Sequence, residues 1–318
     1  MICSMRRRHL PHVILCLWLL GIVTWTQAAG FLPGQRVLLD AHNCYPYEGM
    51  WVDRLDRALG TGLPIGIECD LIWDPTTQPG SPRIVVRHGG KAKGNEPTLR
   101  DYFFEKVRPI VEKALKDGNR EDWPLLTLNL NDLRTGDPEF FDALWKLTGD
   151  YESWLCTAAK TENLTQVSPL EVKPVLILTS DGAHQTKAFY DSVPVGGKLR
   201  MFAAGKPGEK ADNFRRWINY AWNKVEPEGQ PKAGEWSPED AARLKQLVEA
   251  AHQEGYWIRL WTLNGHGAMD IALRGWSPGY NFGSLEAVSI RWRAARDAGV
   301  DFVASDQYED CAKTLRAK

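Results

Sequence analysis

Glu68 and Asp70 stand two residues apart in an apolar run, with a histidine on either side in sequence. His42 lies in Leu39-Asp40-Ala41-His42-Asn43, and His88 in Arg87-His88-Gly89-Gly90. In an extended segment residues i and i+2 share a face. Gly66, Glu68 and Asp70 therefore point one way, and Ile65, Ile67, Cys69 and Leu71 the other. The apolar set packs on covering helices, which leaves two carboxylates close together with little water. That costs several kcal/mol unless a positive charge answers it. A hard divalent cation with oxygen ligands would do so. Two histidines with near-neutral pKa values beside it would supply a proton acceptor and a proton donor. His184, His252 and His266 lack such neighbours and read as structural.

These groups need a scaffold that brings distant segments to one point. Apolar runs predict strands at 36–42, 64–71, 125–131, 174–178, 199–203, 218–222, 256–263 and 301–304, with a further extended piece at 83–87. Helical patterns fall at 48–59, 99–116, 138–155, 185–192, 238–253, 285–298 and 310–315. Ser237 is placed to cap the helix at 238–253, with acids in its first turn. Strands that are apolar throughout are covered on both faces. Repeated βα units predict an α/β fold, a single-domain (β/α)8 TIM barrel over residues 29–318. An open doubly wound sheet is the second choice. No Gly-x-Gly-x-x-Gly follows the first strand, which argues against dinucleotide binding. Barrel enzymes keep their chemistry at the carboxyl ends of the strands. His42 ends the first strand, and Glu68 and Asp70 lie near the end of the second.

Residues 1–28 read as a cleaved secretory signal: Arg6 to Arg8, an apolar stretch over 13–25, then Thr26-Gln27-Ala28. The apolar stretch is shorter than the roughly 20 residues that span a bilayer. Secretion or export to a periplasm is expected. Loss of three arginines and no acid moves the formal charge from −1 to −4. Nothing in that balance favours nucleic acid. Cys44, Cys69, Cys156 and Cys311 remain, without a CxxC spacing. Asn163-Leu164-Thr165 is a glycosylation sequon in hosts that use one.

The order His, Glu-x-Asp, His at the start of an eightfold βα chain resembles the PLC-like phosphodiesterases. That superfamily holds glycerophosphodiester phosphodiesterases, phosphatidylinositol-specific phospholipases C and spider-type sphingomyelinases D. Trp261-Thr262-Leu263-Asn264 is similar to its Trp-Thr-x-Asn/Asp strand, and 299–306 to its closing Gly-Val-Asp strand. His42-Asn43-Cys44-Tyr45 resembles the His-Asn-Asp-Tyr of the branch with the yeast altered-inheritance-of-mitochondria-6-like proteins. The glycerophosphodiesterases carry His-Arg there, and an insertion subdomain for which the connection from His88 to residue 99 has no room. The resemblance implies Mg²⁺ or Ca²⁺ on Glu68, Asp70 and a third acid. Asp132 is the first choice, with Asn131 and Asn129 as alternates, because alternation from Leu125 leaves the inward face of this strand open. It further implies His42 and His88 as the catalytic pair, with His42 the first choice for base, and Arg134 on phosphate.

Asn43, Arg134, Lys91, Trp261 and Asn264 are the expected substrate-binding residues, and Lys93 stands near Lys91. Trp73, Trp276 and Tyr280 are placed on rim loops, and the long segment 265–283 is expected to cap the mouth. The function expected is that of a metal-dependent phosphoric diester hydrolase acting on a small-molecule or lipid phosphodiester, with peripheral contact to a membrane surface. A glycoside hydrolase and a binding protein on a degenerate barrel are the alternatives. Against the glycosidase, Glu68 and Asp70 lie about 6–7 Å apart on one strand rather than across a cleft.

Overall fold

The computed structural model describes residues 31–47, 49–76 and 82–317; the expected signal at 1–28 lies outside them. Eight parallel strands close into a barrel: β1 (Leu38–Ala41), β2 (Ile65–Glu68), β3 (Leu126–Leu130), β4 (Val175–Thr179), β5 (Phe202–Ala204), β6 (Arg215–Ala221), β7 (Trp257–Trp261) and β8 (Phe302–Ser305). Each pairs with the next in sequence, and β8 returns to β1 in the register Leu38↔Phe302 to Ala41↔Ser305. Ile65, Ile67, Leu126, Leu128, Leu130, Val175 and Ile177 are fully buried. Each such aliphatic side chain is worth about 1.5–3 kcal/mol in removal from water, and this shell holds the helices to the barrel.

Helices α1 (Arg54–Gly60), α2 (Lys106–Asp117), α3 (Pro138–Asp150), α4 (Ala183–Thr186), α5 (Pro238–Gln253), α6 (Ala268–Arg274), α7 (Leu285–Ala298) and α8 (Tyr308–Arg316) follow in order. Ser237 and Asp240 form a reciprocal capping box at the start of α5. One departure from the sequence reading has a local cause. The helix expected from 48 begins only at Arg54, because Trp51 adopts φ 55°, a left-handed value that ends helical geometry. The β5-to-β6 connection, residues 205–214, holds no helix. The segment 265–283 folds into α6 and a single 3₁₀ turn (Pro278–Tyr280).

The extended piece at 83–87 is the return arm of a hairpin. Leu71–Asp74 pairs antiparallel with Arg83–Val86, in the register Leu71↔Val86. This hairpin springs from the end of β2 and delivers His88 back beside Asp70. At the opposite end of the barrel Phe31 packs on Trp257, ring centroids 4.8 Å apart and tilted by 39°. There Asp301 accepts hydrogen bonds from Gly34 N at 2.7 Å and Ile258 N at 2.9 Å, and pairs with His252 Nε2 at 2.9 Å. The amino end is thereby closed.

Candidate active site

The carboxyl ends of the strands surround a cavity of about 110 Å³ lined by His42, Asn43, Glu68, Asp70, His88, Asn131, Asp132, Arg134, Arg259, Trp261 and Tyr280. Segments more than 200 residues apart in sequence meet here because β1, β2, β3 and β7 end on one rim.

Beneath the cavity lies a compensated layer of charge. Arg259, in the middle of β7 and 1 % exposed, donates from Nε to Asp40 Oδ2 at 2.5 Å and from Nη2 to Glu68 Oε2 at 2.8 Å. Its Nη1 reaches Asn219 Oδ1 at 3.1 Å. Asn129 donates to Asp40 Oδ2 at 3.1 Å. Burial alone would lower the Arg259 pKa, but Glu68 and Asp40 carry it above its ordinary value. Gly66 is required beside this group: a Cβ there would meet Asp40 Oδ1 at 2.4 Å. A single guanidinium thus answers two buried carboxylates, the situation in which removing one partner is costly.

Among the described residues no such cation pairs with Asp70, two residues beyond Glu68. Tyr45 donates its hydroxyl to Asp70 Oδ2 at 3.0 Å, and His88 Nε2 lies 3.9 Å from the same oxygen. Burial first, then the neighbouring charges of Glu68 and Asp132, push the Asp70 pKa well above the usual carboxylate range. Asp132 pairs with Arg134 at 2.5 Å, and Arg134 Nη2 lies 3.0 Å from His88 Nε2. Asp70, His88 and Asp132 each present one ligand atom, all within 4.8 Å of one another. Two hard carboxylates, one of them short of positive charge, fit a hard divalent cation; the imidazole is the less suited donor.

His42 closes the other wall. Its Nδ1 lies 3.0 Å from Asp306 Oδ2, and its Nε2 faces Glu68 Oε2 at 3.6 Å. Asp306 also accepts from Asn264 Nδ2 at 2.6 Å and from Asn43 Nδ2 at 3.0 Å. Burial alone would raise the Asp306 pKa; His42, Arg54 and Asn43 instead hold it well below the carboxylate range. For His42, burial lowers the pKa, but the charges of Glu68 and Asp306 and the bond to Asp306 carry it above its ordinary value. His88 is displaced downward by burial and by the Arg134 cation. The Asp306 carboxylate favours a proton on Nδ1, which leaves Nε2 as the nitrogen that faces Glu68 and the cavity.

The geometry separates the residues expected from sequence. His42, His88, Glu68, Asp70, Asp132, Asn43, Arg134 and Trp261 converge on the cavity. Asn264 stands behind it, bonded to Asp306 and accepting from Ser305 Oγ at 3.0 Å. Lys91 sits on an exposed loop and is not among the lining residues. Alternation along β3 turns Asn129 into the barrel; the strand ends at Leu130, and beyond it both Asn131 and Asp132 reach the cavity. Trp73 lies in the hairpin against Phe140, with ring centroids 6.1 Å apart. The sequence reading gave no role to Arg259, Asp306, Tyr45 or Asp40. A charged residue inside Trp257-Ile258-Arg259-Leu260-Trp261 was the available signal for the first: an arginine in a central barrel strand requires buried acids opposite it.

No protein-family model matches the chain, and no curated protein matches it in sequence. Among solved structures, the phosphatidylinositol-specific phospholipase C of Listeria monocytogenes is similar at 11 % identity and TM-score 0.51, over 92 % of this chain and 97 % of that one. A glycerophosphoryl diester phosphodiesterase of Parabacteroides distasonis aligns at 15 % identity and TM-score 0.43, over 91 % and 88 % of the two chains. A GH5 cellulase from a Bacteroidetes-affiliated source aligns at 11 % and TM-score 0.43, over 91 % and 92 %. The chain shares the closed parallel barrel of the Listeria phospholipase, so the fold is that of a TIM barrel.

Proposed function

We propose that this protein is a metal-dependent phosphoric diester hydrolase of the PLC-like kind. One observation carries the reading: two histidines, three carboxylates and two arginines from five separate segments converge on a single cavity. Asp70 and Asp132 would hold a Mg²⁺ or Ca²⁺ ion, with Glu68, engaged through Oε2 by Arg259 and outside the group of ligand atoms within 4.8 Å, as the third acid that the resemblance implies. Bound there, such an ion supplies neutralisation of the charge that grows on nonbridging phosphate oxygens.

The side chains account for the rest. His42, its Nδ1–H held by Asp306, accepts through Nε2 the proton of the attacking hydroxyl or water. His88 delivers a proton to the leaving alkoxide, and the adjacent Arg134 lowers the proton affinity of that imidazole, which favours release. Arg134 also presents its cation to the phosphoryl group, and Trp261 and Tyr280 wall the substrate. The signal expected at 1–28 supports a location outside the cytoplasm, and the His42-Asn43-Cys44-Tyr45 motif supports the altered-inheritance-of-mitochondria-6-like branch.

Hydrolysis of bis(p-nitrophenyl) phosphate with Mg²⁺, with Ca²⁺ and after exhaustive chelation tests the reading, with p-nitrophenyl glycosides as a control. Diester cleavage restored by an added ion is the expected result. Full activity after chelation removes the metal; cleavage of a glycoside alone, or of neither substrate, overturns the diesterase.

A further inference from the structure

Arg54 opens α1, a surface helix, yet is only 3 % exposed. A guanidinium that gives up its water needs partners on every side, and those of Arg54 come from three segments. Nη1 donates to the backbone carbonyl of Asn43, the residue after His42, and Nη2 lies 3.5 Å from Asp306 Oδ1. Its carbon lies 4.5 Å from the ring centroid of Trp51 and 5.1 Å from that of Trp276. The two indoles stack on each other at 4.8 Å and 27°.

Trp51 belongs to the segment after β1 and Trp276 to the segment after β7. Both Asn43 and Trp51 hold left-handed φ values, 50° and 55°, which side chains other than glycine adopt only where the surroundings enforce it. Arg54 grips the first through its carbonyl and covers the second through its ring. Asp306 gives Oδ2 to His42 and Oδ1 to Asn43 and Arg54, so the guanidinium takes the oxygen that the imidazole leaves. Arg54 does not line the cavity. Its part in the reaction, if the diesterase reading holds, is exerted through other groups.

We infer that Arg54 is a positioning residue that ties the Trp51–Trp276 pair on the rim to the Asp306–His42 pair in the site. The rim aromatics hold the guanidinium, the guanidinium holds the carboxylate, and the carboxylate orients the imidazole. Disturbing the rim therefore changes turnover without touching the binding surface of the cavity.

The variants Arg54→Gln, Arg54→Lys and Trp276→Ala test this, each checked for folding by far-ultraviolet circular dichroism. Two readouts apply. On bis(p-nitrophenyl) phosphate, Arg54→Gln is expected to lower kcat at least about tenfold with KM within about twofold. Trp276→Ala should lower kcat less and in the same pattern, and Arg54→Lys should regain part of the loss. Independently of activity, proton NMR reports the low-field Nδ1–H that His42 donates to Asp306, assigned by its absence in His42→Ala. That resonance is expected to shift in Arg54→Gln and in Trp276→Ala, and to move back toward the wild-type position in Arg54→Lys. An inactive wild type with a shifted resonance would overturn the diesterase and leave Arg54 its positioning role. A resonance unmoved in folded Arg54→Gln and Trp276→Ala overturns the inference itself. If Arg54→Gln does not fold, Trp276→Ala decides both readouts.

Discussion

The barrel carries a histidine–aspartate pair at each end, and the two differ in everything but their distances. At the mouth His42 Nδ1 meets Asp306 at 3.0 Å; at the base His252 Nε2 meets Asp301 at 2.9 Å. Asp301 spends its remaining capacity on backbone N–H groups of Gly34 and Ile258, and burial outweighs those bonds, leaving its pKa above the carboxylate norm. Asp306 is instead ringed by His42, Arg54, Asn43 and Asn264, which hold it ionised. The free nitrogen of His42 faces a cavity and Glu68, whereas the far side of His252 is pressed on Gly34, where a Cβ would lie 3.0 Å from the ring. The pair itself is therefore neutral as to role. What faces the second nitrogen decides between a proton-transfer group and a fastener for the segment that closes the barrel base.

The sharpest way to break this contrast is to remove each imidazole. His42→Ala, like His88→Ala, should lower diester turnover at least about a hundredfold. His252→Ala should leave kcat within about twofold and lower Tm instead. Comparable turnover losses at the two ends would end the distinction. The carboxylates give a second, smaller contrast. Asp306→Asn should cost about tenfold to a hundredfold in kcat, since the imidazole loses its anionic acceptor. Asp301→Ala, which strands the Gly34 and Ile258 N–H groups, should cost about 1–3 kcal/mol of stability per group, read by denaturant unfolding. A kcat loss in Asp301→Ala exceeding that of Asp306→Asn would refute the assignment.

The smallest effect concerns the uncompensated acid. Because the folded-state pKa of Asp70 is raised, its ionisation opposes folding as pH rises from its unfolded value, near 3.9, toward its folded one. Asp70→Asn, measured with chelator, should therefore be more stable than the wild type at pH 7 and lose that advantage below about pH 4. Each unit of displacement is worth about 1.4 kcal/mol. A variant less stable than the wild type at pH 7 would show that Asp70 is stabilised by a partner.

Much of this was legible in the residues. Seven of the eight barrel strands follow apolar runs, β6 beginning instead at Arg215-Arg216, and His42, Glu68, Asp70 and His88 could be grouped from order and alternation alone. The rest depended on where regular geometry stops. Alternation along β3 is lost after Leu130, so the placement of Asp132 belongs to the turn that follows. Arg259 was masked by its apolar neighbours, since its role appears only when Asp40 and Glu68 are brought opposite it across the barrel. Trp51 interrupts an otherwise helical pattern by a backbone angle that its side chain does not announce.

The hairpin that returns His88 to the site has a consequence for how the molecule tolerates change. The placement of His88 is set by the pairing of Leu71 with Val86, three residues short of the far end at Asp74 and Arg83. Length added or removed beyond that last pair alters neither the register nor the direction in which the imidazole projects. A peptide tag or fluorophore inserted there would therefore ride on the protein while His88 stays where the strands put it.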